Sequence, residues 1–277
     1  MRMIFLVFVR RFVAGESIDD AVKMAHRLKQ KNIYAIINIL GEHVRDEQEA
    51  IKLRDQYADL IFRLYLNGLS NTHISVKPSQ LGLEISESLY ENNLREILRR
   101  AMVYLPNSLV EIDREGRGCS KSVRKISLAL ARYFSNQRLA CQINLYETPG
   151  EIQTFIKAGI SIRLCKGAYP GDIKDEKEIR KIFLEQAFLL EGGGNPSAIA
   201  THDPYLIDKL RGRIKSWQVL LGIENKIMEG FASGGDEVGF YVPCGPNWWS
   251  YGKRRARAIL KIWSRNRWYR IRKGGER

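Results

Sequence analysis

The stretch IYAIINIL, residues 33–40, is apolar at nearly every position and dominated by isoleucine. A strand with one wet face would alternate apolar and polar residues. An unbroken run instead belongs to a strand covered on both faces, as in a parallel sheet flanked by helices. Just before it, Asp19 to Lys31 sets Ala21, Met24, Ala25 and Leu28 on one helical face. After it, residues 46–67 form a long amphipathic pattern with Ile51, Leu53, Tyr57, Leu60 and Ile61 as core positions.

The same alternation continues outward. Strand-like runs recur at HISVK (73–77), LVEID (109–113), LACQINL (139–145), ISIRLC (160–165), SAIAT (197–201), WQVLL (217–221) and VGFYV (238–242). Helical patterns fill residues 85–103, 119–135, 149–158, 174–190, 203–212, 223–232 and 247–268. Eight strands, each followed by a helix, predict an α/β fold: a closed (β/α)8 TIM-type barrel. An extra N-terminal helix precedes the first strand. With 277 residues and no linker-like stretch, the expectation is one domain over 1–277, of which 257–277 is a basic tail. An open doubly wound sheet would bring a glycine-rich first turn, and no GxGxxG is present. The apolar run Met3–Val9 is too short to span a bilayer and reads as a buried strand or docking segment.

The net charge of +14 is unevenly spread. From Lys253 onward eleven positive side chains face one negative, Glu276, leaving the body of the chain almost balanced. Trp263, Trp268 and Tyr269 interleave with these charges, a pattern suited to an anionic membrane surface. Nucleic acid ranks below the membrane, because no base-reading module accompanies the charge. The alternative is a solvated terminal helix. Cys119, Cys141, Cys165 and Cys244 are scattered, without CxxC or histidine at ligand spacing. That argues against zinc and against a disulfide framework, and fits a cytoplasmic protein, peripheral on the inner face of the cell membrane if the tail binds there.

In such barrels chemistry sits where strands end. Here the ends carry Gly41-Glu42-His43, Lys77, Asp113 with Glu115 beyond, Gln142, Arg163 and Lys166, Thr201-His202-Asp203, Gln218 and Tyr241. Any one of them reads more simply as a surface or ion-pair residue. Their recurrence at the same end of successive strands is what a structural barrel does not need. With Arg254 and Arg255 the set is rich in cations and poor in carboxylates, suited to a carboxylate or pyrophosphate ligand. No carboxylate pair for glycoside hydrolysis and no GxSxG elbow is present. Lys77 and Lys166 leave a Schiff-base lyase open, and the tail leaves a non-enzymatic membrane-binding module open.

The ordered segments RFVAGES (11–17), LGEHV (40–44), SVKPSQLGL (75–83), EID (111–113), RLCKGAY (163–169), ATHD (200–203), WQVLLGI (217–223), YVPCG (241–245) and YGKRRA (251–256) resemble the proline dehydrogenase family, especially its short monofunctional members. The resemblance implies a distorted (β/α)8 barrel that binds FAD, oxidises L-proline to 1-pyrroline-5-carboxylate and passes the electrons to a quinone. It implies that Lys77, Arg254 and Arg255 hold the proline carboxylate and that Asp113 orients them, which requires the final helix to fold over the barrel mouth. Tyr241 and Tyr251 would wall the site, and Ala168 and Leu220 would touch the pyrrolidine ring. Gln142, Arg163, Lys166, Gly167, Thr201, His202 and Gln218 fall where the family contacts FAD. Three positions depart from the family pattern: Pro78 after the strand-two lysine, QIN at 142–144, and Ala258 in place of a glutamate.

Overall fold

The computed structural model describes residues 10–192, 196–223, 225–246, 248–249 and 251–252. A first helix, α1 (Ile18–Lys29), is started by a capping box in which Ser17 Oγ accepts from the Asp20 amide while the Asp20 carboxylate accepts from Ser17 N. Then β1 (Ile33–Ile39), α2 (Glu47–Leu66), β2 (His73–Val76), a 3-10 turn (Pro78–Leu81), α3 (Glu87–Tyr104), β3 (Val110–Ile112), α4 (Arg117–Leu130) and β4 (Gln137–Gln142) follow. The second half runs α5 (Thr148–Lys157), β5 (Ser161–Cys165), α6 (Glu176–Glu191), β6 (Ala198–Ala200), α7 (Pro204–Leu210), β7 (Ser216–Leu220), α8 (Asn225–Ser233) and β8 (Glu237–Cys244).

The strands pair in sequence order, all parallel, and close into a barrel. Closure is made by β1 and β8, in register from Ile33–Val238 to Ile39–Cys244. Every residue of β1 is buried, as its unbroken apolar run predicts. Outward-facing Val, Ile and Leu side chains of the strands pack with the inner faces of the helices in one core, which includes Leu53, Tyr57, Leu60 and Ile61 of α2. Trp217 on β7 is the largest fully buried side chain, its ring 5.4 Å from that of Phe231 on α8.

Three sequence expectations are corrected. Ile51 is only half-buried, because the inward face of α2 begins at Ala50 and Leu53. Helix α4 stops at Leu130 instead of 135. Strand β4 begins at Gln137, ahead of the predicted 139, and ends at Gln142, so Ile143–Leu145 lie in the turn beyond it. Gln137 and Arg138 are polar, yet both are buried, so hydrophobic patterning passes over them. The segment Met3–Val9, the rest of the final helix and the tail 257–277 lie outside the described residues. Trp248, Trp249, Tyr251 and Gly252 are helical, and Tyr251 packs with Val13 and Leu40.

Candidate active site

The C-terminal ends of the strands enclose a cavity of about 710 Å³. Lys77, Asp113, Gln142, Arg163, Lys166 and Gly167 line it, as do Ala168, Thr201, His202, Gln218, Leu220, Tyr241 and Tyr251. Every sequence-predicted site residue that is described therefore faces one space. Arg254 and Arg255 lie outside the described residues.

The β2 end turns abruptly after Lys77. Pro78 cannot extend the ladder and opens the 3-10 turn instead, and Gln80 Oε1 accepts from the Lys77 amide at 3.0 Å. The Lys77 ammonium is buried among carboxylates: Glu42 at 3.4 Å, Asp113 at 3.8 Å and Glu115 at 3.9 Å, with the Tyr169 hydroxyl at 3.4 Å. Burial opposes its charge, but Asp113, Tyr169, Glu115 and Glu42 outweigh that and raise its pKa above the ordinary lysine value. Glu115 is anchored by Ser79, whose amide and hydroxyl donate at 2.8 and 2.9 Å, and burial raises its carboxyl despite Lys77.

Asp113 is the hub. It is ion-paired to Arg163 and accepts from Tyr241 Oη at 2.9 Å and from Ser75 Oγ at 3.3 Å. Burial would raise its pKa, but Arg163 and Lys77 hold it below the ordinary aspartate value. One layer down the barrel axis, Glu111 is fully buried and receives Arg138 and Arg163 (3.1 Å each), His73 (2.9 Å) and Gln218 (2.7 Å). Burial opposes its ionisation, and Arg138, His73 and Arg163 overcome it, drawing its pKa down to about 2. Gly239, the register partner of Tyr34 at the β1–β8 seam, leaves room for the Tyr34 ring, whose hydroxyl accepts from Gln218 Nε2 at 3.0 Å.

On the opposite side, Lys166 pairs with Glu176 and with Asp203 at 2.9 Å; Asp203 also takes two bonds from Arg180. His202 Nε2 accepts from the Leu220 amide at 3.1 Å, joining the β6 and β7 ends. Asn144, the last residue of QIN, holds up the loop after β5: its Nδ2 donates to Tyr169 O at 2.9 Å, and its carbonyl accepts from Asp172 N and Ile173 N. A Cβ at Gly167 or Gly171 would collide with it, and Gly167 has φ +120. Gly167→Ala is expected to cost about 1–3 kcal/mol and to push that loop off Asn144, read as a lowered melting temperature together with weaker ligand uptake.

Among the described residues more carboxylates gather around the two lysines than the sequence reading counted, while two of the cations it counted, Arg254 and Arg255, lie outside them. Glu115, Glu176 and Asp203 arrive from loops and helix starts and neutralise Lys77 and Lys166. Sequence reasoning also missed Glu111, Arg138 and Tyr169 as members of the polar system. The alternation that puts Asp113 inward also puts Glu111 inward, so that signal was available. Among the described residues no cluster of metal-ligating side chains occurs, the four cysteines are free, and no helix is long and apolar enough to cross a membrane.

The charge network makes stability pH-dependent. Glu111 and Asp113 have folded pKa values below their ordinary ones, so the unfolded chain binds more protons in acid. The Glu111 contribution is complete above pH 4.5 and is lost as pH falls toward about 2. His73, lowered by burial despite its bond to Glu111, adds a loss that begins below pH 6.5. Urea midpoints are therefore expected to be highest near neutrality and to fall steadily from pH 6.5 to 3; level midpoints throughout would contradict the network.

No protein-family model matches the chain. Proline dehydrogenase 1 of Bacillus subtilis (strain 168) is 30% identical over 259 residues, which span 89% of this chain and 85% of that protein. Proline dehydrogenase of Deinococcus radiodurans is 26% identical over 263 residues, 88% of this chain and 84% of that one. Among solved structures, proline utilization A of Bdellovibrio bacteriovorus inactivated by N-propargylglycine matches with a TM-score of 0.78 at 19% identity, covering 90% of this chain and 32% of that one. Proline utilization A of Corynebacterium freiburgense gives 0.75 at 17% identity, covering 94% and 31%. The chain spans about a third of those two structures, and at such identities the likeness bears on the barrel fold alone.

Proposed function

Because the chain belongs to the proline dehydrogenase family, we propose that it is an oxidoreductase that converts L-proline to 1-pyrroline-5-carboxylate in proline catabolism, with FAD as hydride acceptor and a quinone as the final electron acceptor. The observation that carries this reading is one cavity lined by every described residue to which the family pattern assigns a site role.

The lining fits a flat, polar-edged cofactor with an anionic arm. Gln142 Nε2, a donor, and Gln218 Oε1, an acceptor, are both buried without a protein partner. Such atoms are costly unless a ligand satisfies them. Gln142, Gln218 and Arg163 would face the flavin ring, with Lys166, Gly167, Thr201 and His202 along the rest of the cofactor. When bound, FAD supplies the hydride acceptor for the ring carbon next to the proline nitrogen.

The remaining work falls to the chain's own groups. Lys77 holds the substrate carboxylate, and its raised pKa keeps it charged. Three carboxylates already surround that ammonium, so a fourth negative charge requires more cations than Lys77 alone. Arg254 and Arg255 supply them in this reading, as bidentate partners that fix the ring's position. Asp113, fastened by Arg163 and Tyr241, keeps Lys77 aimed. Tyr241 and Tyr251 wall the substrate space, while Leu220 and Ala168 offer apolar contact and exclude water. The basic tail 257–277 would bring the enzyme to the inner face of the membrane, where quinone resides.

A Schiff-base mechanism fits the geometry less well. A nucleophilic lysine needs a lowered pKa, whereas that of Lys77 is raised and Lys166 is held by two carboxylates. The decisive experiment is optical. Protein reconstituted with FAD should be yellow and should bleach on anaerobic addition of L-proline; an unchanged visible spectrum would refute the assignment.

A further inference from the structure

Resting on the flavin reading above, we propose that Glu111 is a positioning residue for the reaction: from beneath the cavity it fixes the Arg163 guanidinium and the Gln218 amide in the orientation a bound flavin meets. Glu111 does not itself line the cavity, whereas Arg163 and Gln218 do.

The hydrogen bonds determine which way the Gln218 amide points. Its Nε2 donates to Glu111 Oε1 at 2.7 Å and to Tyr34 Oη at 3.0 Å, which uses both amide hydrogens. Its Oε1 is left buried and without a protein partner. Flipping the amide would set that oxygen against a carboxylate, so the charge on Glu111 forbids the alternative. Arg163 is pinned in the same way. Nη1 donates to Glu111 Oε2 at 3.1 Å and Nη2 pairs with Asp113, so the guanidinium bridges two interior layers and cannot swing. Arg138 keeps Glu111 ionised from below; it is 1% exposed and absent from the cavity wall.

Stability alone does not account for this arrangement. A buried ion set can often be exchanged for apolar residues of similar volume at no loss. What an apolar layer could not do is dictate the orientation of an amide and a guanidinium one layer above it.

The experiment compares wild type, Glu111→Gln and the double variant Glu111→Gln/Arg138→Met, each titrated with FAD. E111Q is expected to bind FAD about tenfold more weakly or worse, in the range seen when a group behind a ligand is lost. Removing a negative charge below the ring should also change the bound-flavin absorption band and make its reduction potential more positive. With proline, kcat should fall about tenfold, while KM, set on the Lys77 side, stays nearly constant. The double variant deletes the cation that E111Q strands, so it should regain thermal stability without regaining FAD affinity, spectrum or potential.

A merely structural Glu111 predicts instead that the double variant recovers all of them, and that result overturns the inference. So does an E111Q protein matching wild type in the flavin measurements. Should E111Q fail to fold, the double variant alone decides between the two outcomes. Wild-type protein that takes up no FAD overturns the reading beneath, and this inference with it.

Discussion

Replacing Lys77 by methionine is expected to lower kcat/KM for proline by about two to four orders of magnitude while leaving FAD in place. Methionine keeps much of the side-chain volume but removes the ammonium that lies among Glu42, Asp113 and Glu115. Breaking a buried ion pair on one side costs about 3–5 kcal/mol, because the partner charges stay behind. In a binding site that loss appears as weakened capture of the substrate anion, and each 1.4 kcal/mol amounts to about tenfold. The stranded carboxylates should also take up protons, so any residual activity should be greatest at low pH, where they are neutral. Steady-state kinetics across pH, with the flavin spectrum as a check on integrity, measures both. A variant with wild-type kinetics would remove Lys77 from the substrate site.

The second large effect is on stability. Trp217→Ala is expected to destabilise the protein by about 3–5 kcal/mol, or roughly 6–20 °C in melting temperature for a chain of this size. Trp217 is fully buried between β7 and α8, against Phe231, and its Nε1 donates to Asp236 at 3.2 Å. The truncation leaves a cavity and deprives that carboxylate of a donor. Because Gln218 is the next residue on the same strand, FAD uptake should weaken alongside the melting temperature. Calorimetry with and without FAD separates the two losses.

How much of this was legible beforehand follows from the physics of each element. The apolar run of β1 and the spacing of later runs are enough for a closed parallel barrel, since only strands buried on both faces read that way. Lys77, Asp113, Arg163 and Tyr241 stood out because a barrel places its chemistry at strand ends. Glu111 and Arg138 did not, because a charged residue in mid-strand looks like a solvent-facing one until the register of β3 with β4 sets the two side by side inside the barrel. The true start of β4 was hidden for the same reason, Gln137 and Arg138 being buried polar residues. Glu115 and Asp203 were visible beyond strand ends, but their pairing with the lysines, like that of Glu176 at the start of α6, depends on loop paths that no periodicity encodes. Arg254 and Arg255 rest on the family pattern alone.

The seam between β1 and β8 has a consequence for biosynthesis. The most extensively registered edge of the first strand is reserved for the last, whereas its neighbour β2 shares only two registered pairs with it. On a ribosome, IYAIINIL would emerge long before its principal partner exists. An apolar strand with an unpaired edge invites pairing with other chains. A nascent chain stalled before β8 should therefore engage chaperones strongly. A circular permutant that places β8 directly ahead of β1 should fold with less aggregation, because the slowest contact to form would become a local one.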